Sequence, residues 1–258
     1  MYKSLIVKKQ KEVTEVIFSR GAERNSITMD FLYEINEVLD QEEVDDSCKM
    51  MVFSGQNGYF CTGMDFKSFL TGTKEGEESS FKNDSQKKFM NLLRRISIYP
   101  KIVVSIVEGE VVAGGVGIAV ASDLLFASND SRFSLSEALW GLLPSMVMPY
   151  LIRRVGYQSA FRMTLTTLPV DTKQAKEIRL IDDCFTERRE VIVKYFPRLL
   201  KLNSATVAEL KNYMRHLWII DETTELRAIE KTTELASSET VRNNIDRFVR
   251  ERKFAWEQ

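Results

Sequence analysis

Apolar and polar residues alternate over short runs through the first half of the chain. SLIVKKQ and EVTEVIFSR carry a period near two and predict a pair of strands. TMDFLYEINEVLD switches to a helical period, with Phe31, Ile35, Val38 and Leu39 on one side. CKMMVFSG, PKIVVSIVEG and DLLFAS predict buried strands, the second followed by a small-residue helix. Strands alternating with helices predict an α/β layer architecture. From about Thr172 the strand signals stop. TKQAKEIRLI, REVIVKYFPRLLKL, ATVAELKNYMRHLWII, ETTELRAIEKTTELA and ETVRNNIDRFVRERKF all read as helices, with Pro197 placed to kink the second. A core over residues 1–170 is therefore expected, followed by a helical region over 171–258 belonging to the same functional unit. LTGTKEGEESSFKNDSQKK (residues 70–88) breaks the pattern, being polar, charged and poor in large apolar residues. It predicts a surface loop acting as a substrate lid ahead of the helix SQKKFMNLLRRISIY.

The totals narrow the class. With 258 residues, 44% hydrophobic and 28% charged, the chain can bury a large core. A net charge of −1 argues against nucleic-acid binding, which needs a basic surplus. No apolar run approaches the ~20 residues of a membrane span, and MYKSLIVKKQ carries no secretory h-region. Cys48, Cys61 and Cys184 are widely spaced and form no CxxC pair, which suits free thiols in a reducing cytoplasm. A soluble cytoplasmic protein is expected.

The glycines of VVAGGVGIAVASD (Val111–Asp123) carry the first chemical signal. A dinucleotide fingerprint starting at Gly115 and Gly117 needs a final Gly or Ala, where Val120 stands. A phosphate loop needs Gly-Lys-Ser/Thr, and that tripeptide does not occur. Two readings stay open. The glycines either let the helix pack tightly on a strand, or leave unpaired amides at the helix start to hold a developing negative charge.

YFCTGMDF (Tyr59–Phe66) together with AGGVGIAVASD resembles the crotonase (enoyl-CoA hydratase/isomerase) superfamily, and the likeness runs along most of the chain. The resemblance implies that the amides of Met64 and Gly114 form an oxyanion hole for a thioester carbonyl. It also implies a fold of ββα turns wound as a spiral, with two near-perpendicular sheets and C-terminal helices that build a homotrimer, sometimes paired into a hexamer. No metal or redox cofactor is implied.

Glu137, ahead of Gly141-Leu142-Leu143-Pro144, is similar to the family's acidic residue before a Gly-hydrophobic-hydrophobic-Pro segment. A buried glutamate beside the acyl α and β carbons is suited to acid–base work, whereas an exposed one would be a helix-start carboxylate. Simple hydratases of the family carry a second glutamate in the glycine helix, and Gly117 stands there, so two-carboxylate water addition is not expected. Asp65 is a further candidate acid, or an N-cap for a helix starting at Phe66. Lys67 and Arg24 are candidates for a phosphate or pantetheine group, or solvated surface cations. His216, the only histidine, has no triad or zinc motif around it and is expected to be a packing or surface residue.

FSLSEALWGLLPSMVMPYLIRRVG and the ending KFAWEQ resemble a narrower subgroup, the dehydratases of polyketide β-branching. That resemblance implies loss of water from 3-hydroxy-3-methylglutaryl held on an acyl carrier protein by phosphopantetheine, giving the 3-methylglutaconyl thioester. The substrate's free carboxylate then needs donors, and Lys82, Lys87, Arg94 and Arg95 are the candidates. Two alternatives stand beside it: another crotonase enzyme acting on a CoA thioester (hydratase, isomerase or decarboxylase), and a non-catalytic binding subunit.

Overall fold

The computed structural model describes residues 2–71, 78–218 and 220–257, without the side chains of 69, 71 and 78–83. The strands are β1 (Leu5–Gln10), β2 (Val13–Phe18), β3 (Met50–Ser54), β4 (Tyr59–Cys61), β5 (Ile102–Val107), β6 (Glu110–Val112), β7 (Leu124–Ser128), β8 (Arg132–Ser134), β9 (Val170–Asp171) and β10 (Asp183–Phe185). The helices are α1 (Met29–Glu43), α2 (Phe66–Thr71), α3 (Glu78–Ile98), α4 (Gly114–Ala121), α5 (Met148–Thr166), α6 (Thr172–Glu177), α7 (Arg188–Leu199), α8 (Ser204–His216), α9 (Glu222–Ala236) and α10 (Glu239–Glu251).

After the antiparallel β1–β2 hairpin, each pass of the chain repeats one plan. A strand joins a six-stranded sheet ordered β1-β2-β3-β5-β7-β10. The next strand joins a four-stranded sheet ordered β4-β6-β8-β9. A helix or turn then leads into the following pass, so β3, β5 and β7 alternate with β4, β6 and β8. This is the spiral of ββα turns expected from the resemblance. Strands β2 through β10 of the large sheet are parallel, and parallel pairing requires crossovers of this kind.

The central strands β3, β5 and β7 of the large sheet are buried on both faces, which explains their near-continuous apolar runs. Met51, Phe53, Val103 and Val107 face a core shared with α1, α3 and α4. Met50, Val52, Ile102, Val104 and Ile106 face the opposite way, against Val191 and Phe196 of α7 and Val207 of α8. Helix α1 buries the predicted Phe31, Ile35, Val38 and Leu39 and is capped by Thr28, whose Oγ1 accepts from the Phe31 amide at 3.2 Å.

Two expectations are corrected. Strands do not end at Thr172: β10 adds three residues of the C-terminal region to the large sheet, parallel to β7. Residues 70–88 are not one loop, because α2 runs to Thr71 and α3 begins at Glu78. The helical period of α3 (Gln86, Phe89, Leu93, Ile96) extends upstream through polar residues, with Lys88 and Asp84 paired one turn apart at 3.6 Å. Any lid formed by residues 72–77 lies outside the described residues. Pro197 sits in the last turn of α7.

A third cluster lies where α10 meets the turn after β8. Trp140, Leu142, Val241, Ile245, Phe248 and Phe254 pack there, joined by Phe66 of α2. The Trp140 ring stacks on Phe254 at 5.5 Å and meets Phe66 edge-on at 5.4 Å.

Candidate active site

Strand β4 leads into Thr62-Gly63-Met64, where Met64 pairs with Ile27 in an isolated parallel bridge. Ile27 N donates to Gly63 O at 2.7 Å, and Asp65 N donates to Ile27 O at 3.1 Å. That parallel bridge uses the groups on either side of Met64 and turns the Met64 amide away from Ile27. Gly63 adopts φ +80°, and a Cβ there would lie 2.8 Å from Ala113 Cβ and 3.1 Å from Gly114 N. Only glycine fits, so the strand carrying Met64 lies directly against the start of α4.

Helix α4 is entered through Ala113, whose φ of 53° and ψ of −122° are rare for a residue with a side chain. Its amide donates to Ser134 O at 2.9 Å, and its carbonyl accepts from Val116 N at 2.9 Å. Among the described residues, neither the Met64 nor the Gly114 amide donates to another group. Both residues line a single cleft of about 1020 Å³. At the other end of α4, Arg153 donates to Val120 O at 2.9 Å and to Ala121 O at 3.2 Å. Cations at a helix C-terminus complement its dipole, which leaves the positive end facing the cleft.

Glu137 opens the 3-10 turn Glu137–Trp140 just after β8. The turn is closed by Gly141, whose amide donates to Ala138 O at 3.1 Å, and by Leu142 N donating to Glu137 O at 3.0 Å. The residue as a whole keeps some exposure to the cleft, yet its Oε2 is buried with no hydrogen-bond partner. Burial pushes its pKa up to about 7. Near neutral pH such a carboxyl both takes and gives a proton.

Gly117, one turn into α4, faces Val147, Leu93 and Phe89. A Cβ there would come within 2.9 Å of Val147 Cγ2. The place where a second carboxylate would start is already filled by apolar side chains.

Asp65 is a clamp for the loop that carries Met64. Its Oδ1 accepts from Ser68 N at 2.9 Å and caps α2; its Oδ2 accepts from Ser26 Oγ at 2.9 Å and lies 3.5 Å from Arg20. Burial raises its pKa, but the Ser68 amide, the Ser26 hydroxyl and Arg20 outweigh burial and hold it below the ordinary value. Its geometry fits the capping alternative rather than that of a reacting acid.

Arg24 and Lys67 line the mouth of the cleft, both exposed, with the Arg24 guanidinium 5.4 Å above the Tyr59 ring. The carboxylate-binding expectation for α3 needs correction. Arg95 faces α1, 2.6 Å from Asp40 and 2.9 Å from Glu43, and Arg94 lies 3.6 Å from Glu225 of α9. Lys87 is exposed, and none of the three lines the cleft. The positions of α3 that do reach it include Gln86 and Phe89, so the helical period rather than the charge decides. The Lys82 side chain lies outside the described residues. His216 is exposed at the end of α8 and does not line the cleft.

Reading by local motif missed Gln86, Trp140, Phe248, Arg252 and Phe254, all of which line the cleft. A signal existed for α10: Val241, Ile245 and Phe248/Val249 recur at helical spacing and needed an apolar partner.

Two unpaired amides beside one buried, near-neutral carboxyl define a site for polarising a carbonyl while moving a proton next to it. Comparison with known proteins places the chain in a family with such chemistry. The model described as enoyl-CoA hydratase/isomerase matches residues 8–258. The bacillaene synthase dehydratase PksH of Bacillus subtilis is 32% identical over 99% of this chain and 97% of its own length. The enoyl-CoA hydratase EchA19 of Mycobacterium tuberculosis is 29% identical over 68% of this chain and 66% of its own length. A solved structure of pksH from Bacillus subtilis matches with a TM-score of 0.90, covering 98% of this chain and 100% of that one at 32% identity. An enoyl-CoA hydratase from Mycobacterium avium, 22% identical, shares the fold with a TM-score of 0.86, covering 100% of both chains. The chain belongs to the enoyl-CoA hydratase/isomerase family, and it is a hydro-lyase. No helix among the described residues is long and apolar enough to cross a membrane.

Proposed function

We propose that this enzyme dehydrates 3-hydroxy-3-methylglutaryl carried on an acyl carrier protein, giving the 3-methylglutaconyl thioester of a polyketide β-branching sequence. The observation that carries the reading is Glu137. It is a buried carboxyl with an unpartnered oxygen, and apolar packing fills the position of a second carboxylate at Gly117. One carboxyl must then serve both ends of the elimination.

The thioester oxygen accepts from the amides of Met64 and Gly114, which acidifies C2. The Glu137 carboxylate takes the C2 proton, leaving an enolate held by the amides. The protonated Glu137 gives that proton to the departing 3-hydroxyl as the C3–O bond breaks and C2=C3 forms. Water leaves, and Glu137 returns to its ionised form. A pKa near 7 suits a group that must act as base and then as acid in one turnover.

The name of the PksH relative, a dehydratase of bacillaene synthase, supports the polyketide setting. The phosphopantetheine arm arrives with the substrate, and Arg24 and Lys67 at the mouth suit its phosphate. The three cysteines are unpaired, as a reducing cytoplasm would leave them. An apolar stripe of Tyr157, Phe161 and Leu165 on α5 is exposed in the single chain, which supports assembly as a homotrimer or a pair of trimers. Intact mass spectrometry of 3-hydroxy-3-methylglutaryl carrier protein, beside the same acyl group on CoA, tests the proposal. Loss of one water, much faster on the carrier protein, is expected; no loss on either carrier overturns it.

A further inference from the structure

One polar side chain inside the cleft has no part in the steps above. Gln86 of α3 is 7% exposed, lines the cleft, and lies one helical turn before Phe89, whose ring approaches the Gly114 position. Its amide has hydrogen-bonding capacity for two donors and an acceptor. The acceptor is used: Oε1 takes the hydroxyl proton of Thr233, which reaches in from α9. The amide nitrogen has no partner among the described residues, yet it is not sealed away like the orphaned Oε2 of Glu137. The residue lines the cleft, so a ligand there is within reach of completing the amide. A half-satisfied amide in an apolar wall is costly unless a ligand completes it.

Resting on the dehydratase reading, we propose that Gln86, oriented by Thr233, is the specificity residue that binds the free carboxylate of the acyl group. Gln86 lines the cleft with its oxygen held by Thr233, and the α3 cations Arg94 and Arg95 are turned to Asp40, Glu43 and Glu225. Thr233 sets the orientation. Its hydroxyl also lies 2.9 Å from Ile229 O and has a single proton. If that proton turns to Ile229, the Gln86 amide is free to flip and present its oxygen, which repels a carboxylate. A carboxylated substrate selects the arrangement with the nitrogen inward. A neutral amide contributes less than a salt bridge but leaves no buried cation when the site is empty.

The test compares two thioesters on the same carrier protein, 3-hydroxy-3-methylglutaryl and its descarboxy counterpart 3-hydroxy-3-methylbutyryl. Turnover of each is measured with the wild type, Gln86→Leu, Gln86→Glu and Thr233→Val. The wild type should favour the carboxylated acyl group in kcat/KM by roughly ten- to a hundredfold. Gln86→Leu should erase the preference by slowing only the carboxylated substrate, and Gln86→Glu should invert it. Thr233→Val should reduce it part-way. The ratio is taken within each variant, so partial loss of folded enzyme cancels. A preference retained in Gln86→Leu overturns this assignment while leaving the dehydratase reading intact. If the wild type dehydrates neither thioester, the dehydratase reading itself fails.

Discussion

The amide of Ala113 donates to the carbonyl of Ser134 across 2.9 Å. Ala113 is the residue before Gly114, whose amide is the proposed oxyanion donor, and Ser134 ends the strand that leads to Glu137. The bond extends the parallel pairing of β6 with β8, in which Val112 faces Ser134. The amide proposed to stabilise negative charge and the carboxyl proposed to move the proton are thus tied to one another by backbone, across neighbouring turns of the spiral. Sheet hydrogen bonds hold such geometry better than loops do.

Glu137→Gln should lower turnover by about 10³- to 10⁴-fold while leaving acyl-thioester binding largely unchanged. In the wild type, kcat/KM should rise with pH through about 7, as the carboxyl ionises, and the variant should lack that limb. Stability should move the other way. The folded pKa lies above the ordinary glutamate value of 4.5, so the folded state holds the proton more tightly. Stability is full below pH 4.5 and declines as pH rises to about 7, by on the order of 2–3 kcal/mol. Chemical denaturation at pH 5 and pH 8 should show this decline in the wild type and not in Glu137→Gln.

Gly117→Ala should cost about 1–3 kcal/mol, because the added methyl meets Val147 Cγ2 at 2.9 Å. Val147→Ala in the same chain should recover most of that loss. A double-mutant cycle by urea denaturation measures the coupling, and additive effects would contradict the packing described. Gly117→Glu should not create a two-carboxylate hydratase, since the space for the side chain is taken.

Asp65→Ala should reduce stability by about 1–2 kcal/mol through loss of the cap on α2. Turnover should fall less than tenfold, with the rise through pH 7 preserved. The carboxyl is held below its ordinary pKa, so its contribution is present above pH ~4 and lost as pH falls through the folded value. A loss of the neutral pH limb in Asp65→Ala would instead make Asp65 the titrating base.

Phe161→Glu combined with Leu165→Glu should convert the proposed trimer to monomers in sedimentation velocity. Both side chains are exposed in the single chain and sit one turn apart on α5, beyond its break at Gly156. An unchanged sedimentation coefficient would remove this stripe from the subunit interface.

Local order explains which parts of the site were legible. Met64, Gly114 and Glu137 sit in short motifs, and the resemblance of those motifs to the crotonase superfamily brought out the candidates. Strands β3, β5 and β7 were equally plain, because burial on both faces leaves continuous apolar runs. Strand β10 escaped because Asp-Cys-Phe is too short to show a period and pairs with β7, far upstream. Arg94 and Arg95 misled because charge was considered without the helical phase that turns them toward α9 and α1. Gln86 was invisible for the converse reason. It sits among polar neighbours, and only the packing of α9 against α3 makes it an interior residue.

The wall that α10 builds beside the catalytic turn has an evolutionary consequence. Val241 approaches the Gly141 position, and Asn244 donates to Trp140 O from 104 positions away. A segment that holds none of the proposed reacting groups thus closes one side of the cleft. Under the proposed mechanism, substitutions in α10 can alter the surroundings of the turn that carries Glu137 without touching residues 64, 114 or 137.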